Sequence, residues 1–166
     1  MRNALRSAAS LGFLLSIAPV LPAQDFGIAV GSKAPGARVE TLDGREVDLA
    51  DYVGKVPVVM EFWATWCSNC KALEPKIQSA IQRYGDRVRF VAIAVSVNQS
   101  PDRVRAHKEA HGLRQEFLYD RKGYASDAYE VPATSYIVVV DAKGVVVYTG
   151  LGSDQDIEAA VRKALP

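Results

Sequence analysis

The chain has 166 residues, and its 20 lysines and arginines against 19 aspartates and glutamates give a formal net charge of +1. This length predicts a single domain, and 49% hydrophobic with 23% charged residues is ordinary for a soluble globular protein. The sequence has no basic stripe interleaved with aromatic residues, which argues against nucleic-acid binding.

The N-terminus has the three parts of a secretory signal peptide. Arg2 and Arg6 precede a short apolar run at residues 11–18, and prolines and a small residue follow that run. The run is too short to span a bilayer comfortably. We predict that residues 1–23 are removed and that residues 24–166 form the mature domain in a periplasmic or other extracytoplasmic compartment. Retention of the segment as an uncleaved anchor is the alternative.

A β-hairpin is predicted at the start of the domain. Residues 38–42 and 45–47 flank Asp43-Gly44, a dipeptide that favours tight hairpin turns. Residues 49–52 are compatible with one helical turn after the second strand.

The next three elements form the centre of the predicted fold. Residues 56–63 are rich in β-branched and aromatic side chains, which indicates a buried strand. Apolar residues then recur every three or four positions over residues 68–84, which predicts an amphipathic helix. Residues 87–97 form a second buried strand pattern. A strand, a helix and a strand in this order favour a right-handed parallel crossover.

The only two cysteines of the chain, Cys67 and Cys70, lie where the first of these strands gives way to the helix. Free N–H groups and the helix dipole favour a thiolate at this position. The second thiol is one turn further on, close enough to close a disulfide. Such a bridge closes a very small loop and constrains the unfolded chain little. We therefore interpret the pair as redox-active rather than structural.

The middle of the chain predicts two further helices and a short strand. Ser100 is suited to cap a helix over residues 101–111, with Pro101 at its first position. Gly112 follows that helix, residues 117–119 are extended, and residues 122–129 form a short helix.

The C-terminal part predicts a hairpin and a final helix. Residues 133–140 form a β-branched strand, residues 141–144 a turn, and residues 145–148 its antiparallel partner. The last helix begins at Asp154.

The segment Phe62-Trp63-Ala64-Thr65-Trp66-Cys67-x-x-Cys70-Lys71, with Pro75 after it, resembles the thioredoxin superfamily, and in particular its exported TlpA/ResA-like branch. The resemblance extends from about residue 31 to the C-terminus. It implies an α/β thioredoxin fold, with a central mixed β-sheet flanked by helices, an N-terminal β-hairpin and a mid-domain insertion.

The resemblance also implies an enzyme, a protein thiol-disulfide oxidoreductase that needs no cofactor beyond its cysteines. Cys67 is expected to attack a partner disulfide and Cys70 to resolve the mixed disulfide. In this branch the usual direction is reduction of partner proteins, with electrons from a membrane-bound donor. Because the chain has no second cysteine pair, turnover requires an external donor. We expect a monomer.

Glu61 stands in the otherwise apolar strand before the cysteines. An unpaired buried carboxylate costs several kcal/mol unless it stays protonated or finds a partner. The resemblance implies a buried acid beneath the disulfide, which would act as general acid or base for Cys70. The alternative is that Glu61 points outward or pairs with a lysine such as Lys55.

The substrate-binding residues are predicted to be Trp66, Thr134, Ser135 and Pro132. The resemblance implies a cis-proline that faces the disulfide, but counting along the chain places Ser135 there, three residues after Pro132. Either the loop is re-registered around Pro132 or the proline is absent, and we favour its absence. The backbone near Thr134 can still pair with an extended substrate, while Trp66 walls the site.

His107 and His111 have the i, i+4 spacing that can bind a metal on a helix. We interpret them as two solvent-exposed side chains on a charged helix, and we assign no metal ligand.

Two alternative functions are open to a chain with these cysteines. A Sco-like copper chaperone would use both cysteines as Cu(I) ligands, but the sequence lacks C-P-x-x-x-C and has no histidine near Thr134. A peroxiredoxin-like peroxidase needs a threonine three residues before its cysteine, where Ala64 stands here.

Overall fold

A computed structural model describes residues 26–166. The predicted signal peptide, residues 1–23, lies outside the described residues, and so does the expected cleavage site. No helix between residues 26 and 166 has the length and apolar character needed to cross a bilayer.

Between residues 26 and 166 the chain forms seven strands and four helices, together with a 3-10 turn at Leu49–Asp51. The strands are β1 (Arg38–Thr41), β2 (Glu46–Asp48), β3 (Val58–Trp63), β4 (Arg89–Val95), β5 (Glu116–Asp120), β6 (Tyr136–Val140) and β7 (Val146–Leu151). The helices are α1 (Ser68–Tyr84), α2 (Pro101–His111), α3 (Tyr124–Ala128) and α4 (Ile157–Arg162).

The strands form one mixed sheet in the order β2-β1-β5-β4-β3-β6-β7. β3, β4 and β5 are parallel, whereas the β1–β2 and β6–β7 hairpins add antiparallel strands on either side. The predicted mid-domain insertion supplies β5, which pairs with both β4 and β1 and so joins the N-terminal hairpin to the central strands. The predicted mixed sheet and N-terminal hairpin are therefore confirmed.

β3 is the central strand that leads to the cysteines, and all six of its residues are buried. Alternate side chains point to opposite faces of a sheet. Val58, Met60 and Phe62 join the apolar cluster on one face. The odd-numbered residues face the other side: Val59 joins the cluster formed with α1 and α4, and Trp63 joins the cluster that contains both cysteines. Helix α1 therefore packs against the face that carries Glu61.

Several predicted boundaries differ from the structure by a few residues, and two of these differences have local reasons. The strand predicted over residues 133–140 begins only at Tyr136, because Ser135 has a left-handed φ of 66° that interrupts the extended backbone. The last helix begins at Ile157 rather than Asp154, because the carboxylate of Asp156 accepts the N–H of Ala159 and caps the helix there.

Candidate functional site

The two cysteines form a disulfide across the first turn of α1. Their Cα atoms are 5.3 Å apart. Cys67 is the N-cap residue, and its Sγ accepts the backbone N–H of Cys70 at 3.1 Å. The sulfur therefore lies among the N–H groups that a helix leaves unpaired at its start, where negative charge is stabilised.

The two sulfurs differ in what surrounds them. Cys67 is 6% exposed and Cys70 is 1% exposed. The neighbouring Trp66 is 44% exposed, so a large apolar ring lies on the surface directly beside the more accessible cysteine. Cys67 is therefore the more accessible of two buried cysteines.

The loop between β3 and α1 is held by the segment that follows β4. The side-chain oxygen of Gln99 accepts the N–H of Thr65 at 2.9 Å, and its amide nitrogen donates to the Val95 carbonyl at 2.5 Å. The indole N–H of Trp66 donates to the Val97 carbonyl at 2.8 Å. Sequence reasoning missed Gln99. Its only sequence signal was its place just after a strand parallel to β3.

Glu61 is buried at the middle of the sheet, 5% exposed, and its Oε1 has no hydrogen-bond partner among the described residues. Burial, and to a smaller extent the negative charge of Glu74, together raise the pKa of this carboxyl from the usual 4.5 to about 8. The alternative that Glu61 points outward is wrong, since Phe62 and Met60 flank it in a wholly buried strand. At neutral pH the group is mostly protonated.

A narrow cavity of about 10 Å³ borders Glu61. This is close to the smallest volume that accommodates one water molecule. Its lining includes Gln115, whose side-chain oxygen accepts a hydrogen bond from Gln78 at 2.7 Å. Apart from Glu61 itself, Gln115 is the one polar side chain in a lining that is otherwise apolar.

The segment before β6 lies at the same edge of the sheet as the cysteines, because Tyr136 pairs with Phe62 near the end of β3. Pro132 is exposed and Thr134 is half-buried. Ser135 is fully buried: its N–H donates to the Phe62 carbonyl at 2.9 Å, and its hydroxyl accepts the N–H of Gly152 at 2.9 Å.

Every peptide bond between residues 26 and 166 is trans, so Val131–Pro132 and Thr134–Ser135 both are. Ser135 has no accessible side-chain atom to offer a substrate. The predicted direct contact from Ser135 is thus incompatible with its burial, whereas Pro132 and Thr134 remain accessible.

The prediction of two solvent-exposed histidines is wrong for His107. Its side chain is only 10% exposed, and its ring lies 5.2 Å from that of Trp63. The carboxylate of Glu74 contacts both histidines, at 2.8 Å from a ring nitrogen of each. The charged helix turns one face toward α1, and the i, i+4 pair lies on that face. The three side chains bring one donor atom each within 4.8 Å of the others.

Comparison with known proteins also indicates a thiol-disulfide oxidoreductase. The AhpC/TSA family matches residues 30–149. The chain is 32% identical over 138 residues to the thioredoxin-like protein YneN of Bacillus subtilis, which covers 81% of this chain and 80% of that protein. It is 31% identical over 141 residues to the thiol-disulfide oxidoreductase ResA of Geobacillus thermodenitrificans, covering 84% of this chain and 80% of ResA.

A solved structure gives the corresponding result for the fold. The crystal structure of a secreted Mycobacterium tuberculosis disulfide oxidoreductase, homologous to Escherichia coli DsbE, superposes with a TM-score of 0.65 at 26% identity. The match covers 78% of this chain and 95% of that one. The thioredoxin fold and the resemblance to the ResA-like branch are therefore confirmed.

Proposed function

The chain belongs to the AhpC/TSA family and is a thiol-disulfide oxidoreductase, and on that premise we propose that it is exported and reduces disulfides of partner proteins. The observation that carries the proposal is the position of Cys67, the more accessible of the two cysteines, which caps α1 and accepts the Cys70 N–H next to the exposed Trp66. Two thiols in this arrangement can deliver two electrons to a disulfide without any other group.

The first step uses Cys67. In the dithiol form its thiolate attacks one sulfur of the substrate disulfide, a Cys67–substrate disulfide forms, and the other substrate sulfur leaves as a thiolate. The N–H of Cys70, which points at this sulfur, stabilises the attacking charge.

The second step uses Cys70 and Glu61. In the fraction of molecules whose Glu61 is ionised at neutral pH, the Cys70 thiol transfers its proton to the Glu61 carboxylate, and the resulting thiolate attacks the Cys67 sulfur. The Cys67–Cys70 disulfide forms and the second substrate thiolate leaves, taking up a proton. A carboxyl whose pKa is raised to about 8 by burial can hold and release a proton near neutral pH, as a general acid or base requires.

Substrate contacts are proposed for Trp66, Thr134 and Pro132. The exposed indole offers apolar area beside the reactive sulfur, and its hydrogen bond to Val97 fixes its orientation. The accessible backbone at Thr134 can pair with an extended substrate segment. Ser135 acts as a positioning residue, because its buried hydrogen bonds hold the segment against β3 and β7.

Export and the electron source complete the proposal. Arg2, Arg6 and the apolar run 11–18 support a cleaved signal peptide, and the M. tuberculosis relative is a secreted protein. The chain has only one cysteine pair, so each turnover consumes two electrons from outside. We propose a membrane-bound donor on the extracytoplasmic side and a monomeric enzyme.

The reduction potential of the cysteine pair tests the direction of electron flow. The protein is equilibrated in glutathione and dithiothreitol buffers, and its free thiols are then alkylated and counted. We expect a value near that of thioredoxin, about −270 mV, as suits a reductant. A value near −120 mV, as in DsbA, would contradict the reducing role and indicate a disulfide-forming enzyme.

The same purified protein also tests the two alternative functions, a copper chaperone and a peroxidase. Binding of one Cu(I) by the reduced protein, with no reversible dithiol–disulfide couple, would favour the Sco-like chaperone. Rapid consumption of hydrogen peroxide would favour a peroxidase. We expect neither, since Ala64 occupies the position where the peroxidase needs its threonine and no histidine is near Thr134.

A further inference from the structure

Glu74, His107 and His111 form a three-residue cluster at the interface of α1 and α2. His107 Nε2 lies 2.8 Å from Glu74 Oε1, and His111 Nδ1 lies 2.8 Å from Glu74 Oε2. The two imidazole rings have centroids 4.0 Å apart, with their planes tilted by 30°. One carboxylate thus faces two ring nitrogens on the same side.

Two helices, α1 and α2, carry the side chains of this cluster. His107 and His111 are one turn apart on α2, and Glu74 lies one turn after Cys70 on α1. The Trp63 ring, at the end of β3, packs against the His107 ring with a centroid distance of 5.2 Å. The side chains of Glu74 and His107 are 17% and 10% exposed, whereas that of His111 is 40% exposed. The cluster is therefore preorganised, with an opening to solvent on the His111 side.

We propose that these three residues form a binding site for a divalent transition metal, with zinc as the best match. Zinc is bound by histidine nitrogen and carboxylate oxygen at about 2.0–2.2 Å. Two imidazoles and one carboxylate leave the fourth tetrahedral position for water or another ligand. The donors are His107 Nε2, His111 Nδ1 and one oxygen of Glu74.

The fit requires only a small rearrangement. Tetrahedral bonds of this length place donor atoms about 3.3 Å apart. The separation of 2.8 Å between His107 Nε2 and Glu74 Oε1 must therefore open by about half an ångström. The three donor atoms lie within 4.8 Å of one another, and rotation of the exposed His111 side chain and of the carboxylate can bring them to the tetrahedral spacing. Nitrogen and oxygen donors of this kind suit zinc, copper(II) and nickel(II), and disfavour magnesium or calcium. The site is separate from the thiols, so it takes a metal while the cysteines are oxidised.

The experiment is a calorimetric titration of the oxidised protein, purified without a polyhistidine tag, with zinc chloride. The disulfide removes both sulfurs as ligands, and the chain has no other histidines. We expect one zinc ion per chain. Heat no greater than that of the buffer blank would overturn the proposal.

Three variants localise the binding. His111→Ala and Glu74→Gln are each expected to weaken zinc binding by roughly tenfold or more, because each removes one of three ligands. Glu109→Gln removes an exposed carboxylate from the same helix and is the matched control, with binding unchanged. Equal affinity in all three variants and the parent protein would place the metal elsewhere and overturn the proposal.

A measurement on the unmodified protein does not depend on the folding of any variant. The chain has only two histidines, so nitrogen NMR of labelled imidazoles reports on both rings separately. We expect both sets of ring signals to shift, with saturation at one equivalent of zinc. Rings that keep their signals during the titration would overturn the assignment, whatever the redox activity of the cysteines.

Discussion

The backbone N–H of Cys70 donates to the sulfur of Cys67 at 3.1 Å. In the proposed mechanism, the residue that resolves the mixed disulfide thus also stabilises charge on the residue that attacks. The contact follows directly from the two-residue spacing, because an N-cap side chain accepts the N–H of the third residue after it. The two sulfurs share one helical turn but have different surroundings, and this difference gives the first prediction.

In the reduced protein at pH 7, iodoacetamide is expected to alkylate Cys67 roughly ten times faster than Cys70, or more. Cys67 is more accessible and has the helix N-terminus to favour its thiolate, whereas Cys70 is enclosed. Peptide mass spectrometry after timed quenching measures both rates. The Cys70→Ser variant is expected to accumulate a mixed disulfide with substrate, and Cys67→Ser is not. Equal alkylation rates would contradict the assignment of roles.

Glu61→Gln is expected to slow resolution of the mixed disulfide by roughly a hundredfold at pH 7, since general acid–base groups contribute at least that much. The first attack by Cys67 is expected to change little, because the carboxyl lies beneath Cys70 in the proposed mechanism. Stopped-flow mixing with a disulfide-bonded substrate separates the two phases. Asp86→Asn, an exposed carboxylate beyond the end of α1, is the control. Equal slowing of both phases would indicate a structural rather than a proton-transfer role.

The stability of the oxidised protein is expected to fall as the pH rises from about 4.5 to about 8. In this window the unfolded chain has released the Glu61 proton while the folded chain, with its pKa raised to about 8 by burial, still binds it. The folded state therefore holds more protons, and the free energy of unfolding decreases with pH. Because other groups also titrate, the comparison is with Glu61→Gln.

The difference in unfolding free energy between Glu61→Gln and the parent protein should change by about 4 kcal/mol in favour of the variant between pH 4.5 and pH 9. Urea denaturation at several pH values measures it. A difference that stays constant across this range would show that Glu61 titrates normally.

Ser135→Pro is expected to lower the free energy of unfolding by about 3 kcal/mol or more. Proline cannot adopt the φ of 66°, and it lacks the N–H that Ser135 donates to the Phe62 carbonyl. Ser135→Gly keeps both the backbone conformation and that N–H, so its cost should stay within about 1 kcal/mol. Urea denaturation of the two variants provides the comparison. If Ser135→Pro were as stable as Ser135→Gly, the loop before β6 would have to be able to change its register.

Trp66→Ala is expected to raise the KM for a disulfide-bonded protein substrate roughly fivefold or more, because the exposed ring provides apolar contact area beside Cys67. The rate with oxidised glutathione, which is too small to cover the ring, should change little. Tyr124→Ala removes an aromatic residue at the start of α3 that is also 44% exposed. This variant should leave the KM for the protein substrate and the rate with glutathione unchanged. An equal loss of activity of Trp66→Ala with the protein substrate and with oxidised glutathione would indicate that Trp66 only shapes the loop around the disulfide.

The sequence by itself determined the elements that depend on local patterns. The helices over residues 68–84 and 101–111 have the predicted bounds, because apolar periodicity and capping residues act within a few positions. The cysteine spacing and the surrounding Trp-Cys string also identified the family and the chemistry. The apolar strand around Glu61 favoured its burial but left the outward-pointing alternative open until the structure excluded it.

Only the tertiary structure decided how distant segments meet. The left-handed conformation of Ser135 is held by hydrogen bonds to β3 and to the end of β7, about 73 and 17 residues away along the chain, and no local pattern encodes it. In the same way, an i, i+4 histidine pair does not reveal which helix it faces. The packing of α2 on α1 brought Glu74 within 2.8 Å of both rings and changed two expected surface residues into a candidate metal site. Contacts of this kind depend on the register of packed elements, which follows from the whole sheet rather than from any single segment.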